Sequence, residues 1–355
     1  MPPIDWRDLY ASNRAVIEGG RPGAPPALDL PPLAARGPAI DLPGAPAGVP
    51  PTPTPADTPG GAWGRLVHEG RSVFVYTPPD LPDGAAVPLV VALHGCTQTA
   101  ATFSAGSLLN RAADRHGFVV AYPEQSREHN PQCCWNWFTA GHQARGVGEP
   151  AFIAGATRAL ARDGARAPID ARRVFIAGMS AGGAMAAVMA ATYPDVYAAV
   201  AIHSGLAYGC ARSLPAATSA MTRGAPDPDA QGRAALAAMG PRARPVPALV
   251  IHGTADAIVC PVNGEHAARQ WLVTNALAAG VGVERAPATV REPAALGGRA
   301  ATRRRWTDDD GRPLVEHLEV EGLGHAWSGG APGGSYTDAR GPSAAAAICA
   351  FFARA

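Results

Sequence analysis

Residues 172–183 read RRVFIAGMSAGG, and this stretch decides the fold. Its apolar part, VFIA, is typical of a strand that is buried on both faces of a parallel sheet. The G-x-S-x-G pattern of Gly178, Ser180 and Gly182 follows at once, and a small-residue segment, AMAAVMAATYP, then continues with helical character. A strand, a sharp glycine-bearing turn and a helix predict a nucleophile elbow with Ser180 as the nucleophile.

Further apolar runs extend the pattern on both sides of this stretch. A run with strand alternation covers 71–78, and continuous runs rich in Val and Ile cover 88–95, 118–123, 198–205 and 247–253. Helical segments are predicted between them over 104–116, 149–162, 181–193 and 264–279. This alternation predicts an α/β fold with a mostly parallel central sheet and helices on both faces. In such sheets the chemistry takes place beyond the carboxyl ends of the strands.

Two residues that follow later apolar runs complete a candidate triad with Ser180. Asp256 follows PALVIHG, where the acid of a hydrolase triad belongs, although an aspartate there also suits a simple turn. His325 lies in the glycine-rich segment GLGHAW and is predicted to act as general base and then as general acid. The order Ser, Asp, His along the chain is the α/β-hydrolase order.

The segment HGCTQ, residues 94–98, follows the run PLVVAL and is the candidate oxyanion loop. One oxyanion donor in this arrangement comes from such a loop and the other from the residue after the nucleophile. The backbone N–H groups of Cys96 and Ala181 are therefore the predicted donors. We expect His94 to support the loop by hydrogen bonding rather than to take part in chemistry.

Composition excludes several other classes of protein. Thirty basic against 29 acidic residues give a formal charge of +1, which indicates neither a nucleic acid nor a membrane partner. Hydrophobic residues make up 47% of the chain, enough for a large core, but no run is long enough to span a membrane. The chain has no lysine, which excludes Schiff-base and P-loop lysine chemistry. No H-E-x-x-H motif or clustered ligand spacing occurs, so neither a metal nor a cofactor is expected.

Several motifs together resemble one known family. LHGCTQTA, FVVAYPEQS, CCWNWF, GMSAGGAMAAVMAATYPDVYAAVAIHSGL, HGTAD, GLGHAWSGG and GSYTDARGPSAAAAICAFF occur in order from about Val73 to the C-terminus. They resemble the poly(3-hydroxybutyrate) depolymerase family of esterases, α/β-hydrolases related to the feruloyl and acetylxylan esterases of carbohydrate esterase family one. The resemblance implies Ser180 as nucleophile, Asp256 as acid, His325 as base and the N–H of Cys96 as an oxyanion donor.

Three tryptophans are expected near the cleft on the strength of this resemblance. Trp135 and Trp137 belong to the CWNW motif, and Trp327 follows His325 by two positions. Their rings would bind an apolar acyl chain or an aromatic acyl group. The alternative for all three is a place in the core.

The six cysteines allow ~15 complete pairings, so the sequence alone does not fix any disulfide. The HGC and CWNW motifs suggest a bridge between Cys96 and Cys134 that would hold the oxyanion loop. Cys210 and Cys260 follow adjacent predicted strands, and a second bridge between them is a further hypothesis.

The chain divides into two parts by composition. Residues 1–61 are interpreted as an N-terminal segment and a Pro-rich linker or arm, and residues 62–355 as the α/β-hydrolase catalytic domain. The first 20 residues lack the basic start and apolar stretch of a secretory signal. The family and the cysteines favour an extracellular or periplasmic location, with the cytoplasm as the alternative. The sequence says nothing of the oligomeric state.

These observations predict a serine esterase that acts through an acyl-enzyme on short 3-hydroxyalkanoate esters or polyesters. The alternatives are a feruloyl or acetylxylan esterase, a serine peptidase of the same fold and a non-catalytic binding protein of that fold. The peptidase would need a further gating domain, and the binding protein would be expected to lack the serine or the histidine.

Overall fold

A computed structural model describes residues 60–82, 84–164, 166–283, 287–294 and 297–355. The predicted N-terminal segment and Pro-rich arm, 1–61, therefore lies outside the described residues except for its last two positions. The structure does not test the proposed division of the chain at residue 61.

The described residues include a ten-stranded sheet and a separate two-stranded one. The strand order in the large sheet is β1-β2-β4-β3-β5-β6-β7-β10-β9-β8. The strands are β1 Ala62–His68, β2 Arg71–Thr77, β3 Val87–Leu93, β4 Val119–Pro123, β5 Ile169–Met179, β6 Ala199–His203, β7 Ala248–Gly253, β8 Ala288–Glu292, β9 Ala301–Thr307, β10 Pro313–Val320, β11 Trp327–Ser328 and β12 Thr337–Asp338. The last two form the small sheet.

The six central strands of the large sheet are parallel. β4, β3, β5, β6, β7 and β10 pair in parallel, whereas β1, β2, β8 and β9 add antiparallel edges. The carboxyl ends of the central strands consequently share one edge of the sheet, where ligands bind in open α/β folds. The predicted α/β class and mostly parallel sheet are confirmed, and every apolar run named above overlaps one of the strands.

Helices cover both faces of the sheet. They are α1 Ala100–Ser107, α2 Leu109–His116, α3 Gly148–Asp163, α4 Ala181–Thr192, α5 Leu214–Arg223, α6 Pro228–Met239, α7 Val262–Ala279 and α8 Ala344–Phe352, with short 3₁₀ turns at Ala140–His142 and Gly240–Arg242. The single helix predicted over 104–116 is two helices, because Leu108 between them has a φ of 60°. That left-handed conformation ends the first helix.

Two apolar cores lie on the two faces of the sheet. Along β5, Val174 and Ile176 belong to one core, and Phe175 and Ala177 belong to the other. This alternation is the two-residue period of a strand buried on both sides. All twelve residues of α4 are buried, which explains why its sequence consists almost entirely of small and apolar residues. The helix that follows Ser180 is thus part of the core.

Neither a membrane-spanning helix nor a cluster of metal ligands occurs among the described residues. No helix there is both long and apolar enough to cross a membrane. No group of three or more His, Cys, Asp or Glu side chains among those residues could hold a metal ion.

Candidate active site

Ser180 lies at a strained turn between β5 and α4, at the centre of the sheet. Its φ is 58° and its ψ is −121°, a conformation that is costly for a residue with a side chain. A Cβ on Gly178 would collide with the carbonyl of Gly182, and one on Gly182 would collide with the carbonyl of Leu93. Both glycines are needed because backbone segments meet here without room for a side chain. The predicted strand, elbow and helix are therefore present as a structural unit.

Asp256 and His325 are brought together from loops 69 residues apart. Nδ1 of His325 lies 2.8 Å from Oδ2 of Asp256, and each residue is only 2% exposed. The other oxygen of Asp256 accepts hydrogen bonds from the N–H groups of Ile258 at 3.0 Å and Val259 at 2.8 Å. Burial raises the pKa of Asp256, but the neighbouring His325, then His252 and the hydrogen bond from Val259, outweigh it and lower the pKa below its ordinary value. The carboxylate is thus charged and held in one orientation.

The oxyanion loop packs directly against the elbow. A Cβ on Gly95 would lie 3.4 Å from the Cβ of Ser180, so the two backbones are in close contact. The side-chain oxygen of Gln98 accepts the N–H of Gly95 at 2.9 Å, and its amide donates to the carbonyl of Ser335 at 2.9 Å. A disulfide joins Cys96 to Cys134, as the sequence suggested, with the Cα atoms 4.2 Å apart. Hydrogen bonds and a covalent bond therefore both fix this loop.

His94 supports the same loop from within the core. Its Nδ1–H donates to the carbonyl of Gly95 at 2.8 Å, and its Nε2 accepts the backbone N–H of Gln125 at 3.1 Å. Burial lowers the pKa of His94 to about 4, so the ring is neutral and this tautomer is kept near pH 7. The hydrogen bonds are those expected of a supporting residue.

A buried carboxylate holds the segment that carries the disulfide. Glu149 is 1% exposed and accepts the backbone and side-chain N–H groups of Asn136, each at 2.7 Å, and the side-chain amide of Gln125. The guanidinium of Arg71 donates to Gln125 at 2.6 Å and lies 4.2 Å from the ring centroid of Phe152. Sequence reasoning did not find Glu149, because a lone glutamate in a helical segment reads as a surface residue.

A small cavity connects the candidate residues. It is lined by Gly95, Cys96, Gln98, Met179, Ser180, His325 and Tyr336. The nucleophile, the base and one predicted oxyanion residue therefore face the same space, while Asp256 lies behind His325 and Ala181 begins α4. Sequence reasoning missed Gln98 and Tyr336; both stand in quoted motifs, HGCTQTA and GSYTD, but nothing in their type or spacing indicated a role.

The three tryptophans lie in the core instead of at the cavity. Trp135 is fully buried and donates its indole N–H to the carbonyl of His94 at 3.2 Å. Trp137 is 5% exposed and packs edge-on against Phe138. Trp327 is 1% exposed and donates its N–H to the carbonyl of Ser107 at 3.1 Å. Their size and apolar surface are used for packing, so the expectation that they line the cleft does not match their positions.

The proposed bridge between Cys210 and Cys260 is absent, and both thiols are free. Cys210 is 5% exposed and packs into one of the two cores. Cys260 lies in the turn before α7, where its N–H donates to the carbonyl of Met221 at 2.8 Å. Positions after adjacent strands are not sufficient for a disulfide, which also needs the two Cβ atoms to point at each other. Cys133 and Cys349 are free as well.

The sheet, the elbow and the buried Asp–His pair define a protein of the α/β-hydrolase fold. The solved structure of an acetyl xylan esterase from Aspergillus awamori matches with a TM-score of 0.63 and 23% identity, over 80% of this chain and 94% of that one. This likeness confirms the fold. The family model described as Esterase PHB depolymerase matches residues 72–294, and the chain belongs to that family.

Three curated relatives carry names that point to different ester substrates. Poly(3-hydroxyalkanoate) depolymerase C of Paucimonas lemoignei is 36% identical over 255 residues, 71% of this chain and 58% of that protein. A probable acetylxylan esterase A of Aspergillus clavatus is 31% identical over 56% of this chain and 65% of its own. Feruloyl esterase B of Neurospora crassa is 33% identical over 59% of this chain and 71% of its own. The chain thus spans less than two thirds of the first two relatives.

Proposed function

We propose that this protein is a serine carboxylic-ester hydrolase that acts through an acyl-enzyme. The observation that carries the proposal is the shared cavity of Ser180 and His325, with Nδ1 of His325 2.8 Å from the Asp256 carboxylate. A serine at a strained elbow, an imidazole and a buried acid that orients the imidazole are the parts that acyl transfer needs.

In the first half of the reaction Ser180 is acylated. Nε2 of His325 takes the hydroxyl proton as Oγ of Ser180 attacks the ester carbonyl. Asp256 keeps the His325 proton on Nδ1 and stabilises the imidazolium that forms. The tetrahedral intermediate collapses when the bond to the alcohol oxygen breaks, and His325 gives its proton to the leaving alcohol.

In the second half water hydrolyses the acyl-enzyme. His325 takes a proton from the water, the hydroxide adds to the acyl carbon, and the bond to Oγ breaks as the proton returns to Ser180. The N–H groups of Cys96 and Ala181 stabilise the oxyanion in both halves. The N-terminus of α4 adds a favourable partial positive charge at the same place. The disulfide and the Gln98 hydrogen bonds support this role because they hold the Cys96 loop against the elbow.

For the substrate we propose short 3-hydroxyalkanoate esters or polyesters. The family and the depolymerase relative support this class, and feruloyl and acetylxylan esters are the alternative. The cavity beside Ser180 has room for about one water molecule, so it offers no enclosed space to a long acyl chain. We further propose that the protein works in an oxidising compartment, because the Cys96–Cys134 bridge would be reduced in most cytosols.

A substrate panel with one active-site variant tests the proposal. Wild-type protein is assayed on p-nitrophenyl esters of graded acyl length, hydroxybutyrate oligomers, amorphous polyhydroxybutyrate film, acetylated xylan and methyl ferulate. Ser180→Ala is expected to lower kcat by at least about 10⁴-fold, as loss of a triad nucleophile does elsewhere. Ser219→Ala, an exposed serine on α5, is the matched control and should keep wild-type activity.

The outcomes of this panel separate the alternatives. Hydrolysis of hydroxybutyrate oligomers with little activity on xylan or ferulate supports the depolymerase class. A preference for acetylated xylan or methyl ferulate over hydroxybutyrate oligomers would instead support the feruloyl or acetylxylan esterase alternative. If Ser180→Ala kept near-wild-type turnover, the mechanism itself would be wrong.

A further inference from the structure

Two buried histidines on neighbouring strands lie close to Asp256. His252 is on β7 and is 1% exposed, and His317 is on β10 and is 2% exposed. The parallel register pairs His317 with Val250, two residues before His252, so the two histidines share one face of the sheet. The mechanism described above uses neither of them.

The surroundings of His252 fix its tautomer. Its Nε2 lies 2.8 Å from the carbonyl oxygen of Val259 and 3.5 Å from Oδ2 of Asp256. Both neighbours are acceptors only, so Nε2 must carry the proton. In a neutral ring Nδ1 is then an acceptor, and within the described residues this buried atom has no hydrogen-bond partner.

His317 has the complementary tautomer. Its Nδ1 lies 3.4 Å from the guanidinium nitrogen NH1 of Arg304, which can only donate. Nδ1 is therefore the acceptor and Nε2 carries the proton. That buried N–H likewise has no hydrogen-bond partner among the described residues. One unpaired donor and one unpaired acceptor, each costly to bury alone, thus lie in the same region.

Gly264 on α7 shows how close the two rings are. A Cβ on Gly264 would lie 3.0 Å from Cγ of His252 and 3.0 Å from Nε2 of His317. Cγ of His252 and Nε2 of His317 are therefore at most 6.0 Å apart, since each lies 3.0 Å from the position of that Cβ. Nδ1 is bonded to Cγ, so the two unpaired nitrogens lie in the same small region without bonding to each other directly, and one bridging water would satisfy both.

We propose that His317 is a positioning residue for the triad acid: its Nε2–H is joined to Nδ1 of His252 through one bridging water. This bridge satisfies the acceptor Nδ1 of His252 and holds the ring with its Nε2–H facing Val259 and Asp256. His252 in turn holds the turn of residues 256–259 and presents a donor to the carboxylate that orients His325. The consequence for catalysis rests on the proposed role of Asp256, whereas the hydrogen bond itself does not.

Protonation is consistent with this arrangement. Burial, followed by the charges of His252 and Arg304, lowers the pKa of His317 to about 3. Burial also lowers the pKa of His252, although Asp256 opposes the shift. Both rings are therefore neutral near pH 7, and each has one donor and one acceptor nitrogen.

Nitrogen NMR of the full-length protein tests the hydrogen bond without any substrate. The ¹⁵N shifts of the histidine rings are assigned with single variants, and they report which nitrogen is protonated. We expect His252 to be protonated on Nε2 alone and His317 on Nε2 alone. His317→Leu should leave His252 protonated on Nε2 but move its Nδ1 resonance, because that acceptor nitrogen loses its hydrogen bond. A wild-type His252 protonated on Nδ1, or an unchanged Nδ1 shift in His317→Leu, would overturn the proposal.

Kinetics test the consequence for the acid. His317→Leu should lower kcat about three- to tenfold with KM unchanged, which is the cost of one net hydrogen bond. His317→Gln, whose amide can replace the Nε2–H donor, should restore most of kcat. Leu318→Ala on the same strand is the control, since its buried side chain lies in the core on the opposite face of the sheet, so the change destabilises the core away from the pair and should keep kcat. Equal losses in the Leu and Gln variants would show that His317 only fills space. If the protein had no esterase activity, the NMR result would still decide the hydrogen bond.

Discussion

The indole ring of Trp327 stacks on the imidazole of His203, with the ring centroids 4.9 Å apart and the planes 18° apart. Nε2 of His203 accepts the N–H of Ser328 at 3.1 Å, and its carbonyl accepts the N–H of Ser180 at 2.9 Å. His203 therefore contacts both the nucleophile elbow and the segment that follows His325. Burial, followed by the charges of His252 and His325, lowers its pKa to about 3, so the ring stays neutral in this position.

Trp327→Ala is expected to destabilise the protein and to lower kcat more than it changes KM. The side chain is 1% exposed, so its removal opens a cavity that costs about 3–5 kcal/mol in the free energy of unfolding. His325, two residues away, would lose the packing that orients its loop. Urea unfolding and steady-state kinetics measure the two effects. Trp327→Phe keeps a ring but loses the hydrogen bond to Ser107 and should cost less. Unchanged stability with a raised KM would instead place the indole in the substrate cleft.

The sequence predicted the parts of this structure that depend on local pattern. The strands, the elbow at Ser180 and the order of Ser180, Asp256 and His325 follow from apolar runs and from glycines that only a tight turn requires. The positions of Trp135 and Trp327 did not follow, because a large aromatic residue near a catalytic motif suits either a cleft or the core. That choice depends on how loops distant in sequence pack together. The same reason explains why Tyr336, 156 positions after Ser180, was missed at the cavity.

Tyr336 limits the size of the acyl group in our interpretation of the cavity. It lines the cavity with Ser180 and His325. Its hydroxyl lies 3.4 Å from the hydroxyl of Thr97, which belongs to the oxyanion loop. Tyr336→Ala should raise kcat/KM for hexanoate relative to acetate esters, by up to about fourfold for each methylene that becomes buried. Tyr336→Phe keeps the ring and should leave this ratio unchanged. An Ala variant with the wild-type ratio would show that another residue limits acyl length.

The buried histidines should make the protein less stable in mild acid. Burial is the largest cause of the lowered pKa at His94, His203, His252 and His317, whose ordinary value is 6.5. As pH falls below 6.5 the unfolded chain takes up these protons but the folded protein does not, so the free energy of unfolding decreases. Each proton contributes a slope of about 1.4 kcal/mol per pH unit.

Urea unfolding between pH 7.5 and about pH 5 measures this slope. We expect the free energy of unfolding to be nearly constant above pH 7 and to fall steadily below pH 6.5. His317→Gln removes one of these protons and should reduce the slope by about 1.4 kcal/mol per pH unit. His116→Gln, at an exposed position at the end of α2, should leave the slope unchanged. A free energy of unfolding that does not vary over this range would contradict the prediction, because it would mean that the buried rings are already charged in the folded protein.

The disulfide between Cys96 and Cys134 is expected to matter for both stability and turnover. It closes a loop across 38 positions of the chain, and native bridges of this kind contribute about 2–4 kcal/mol. The double variant Cys96→Ser, Cys134→Ser should therefore unfold at lower urea concentration. Its kcat should fall while KM changes little, because the N–H of residue 96 stabilises charge that develops only in the transition state.

Cys133 must be changed to serine in both the test and the reference protein, since its free thiol is adjacent to the bridge. Cys349→Ser, a free cysteine on α8, is the matched control and should keep kcat. Peptide mapping of the denatured, unreduced protein should find Cys96 joined to Cys134 and the other four cysteines alkylated. A double variant with unchanged kcat would show that the hydrogen bonds of Gln98 hold the oxyanion loop without the bridge.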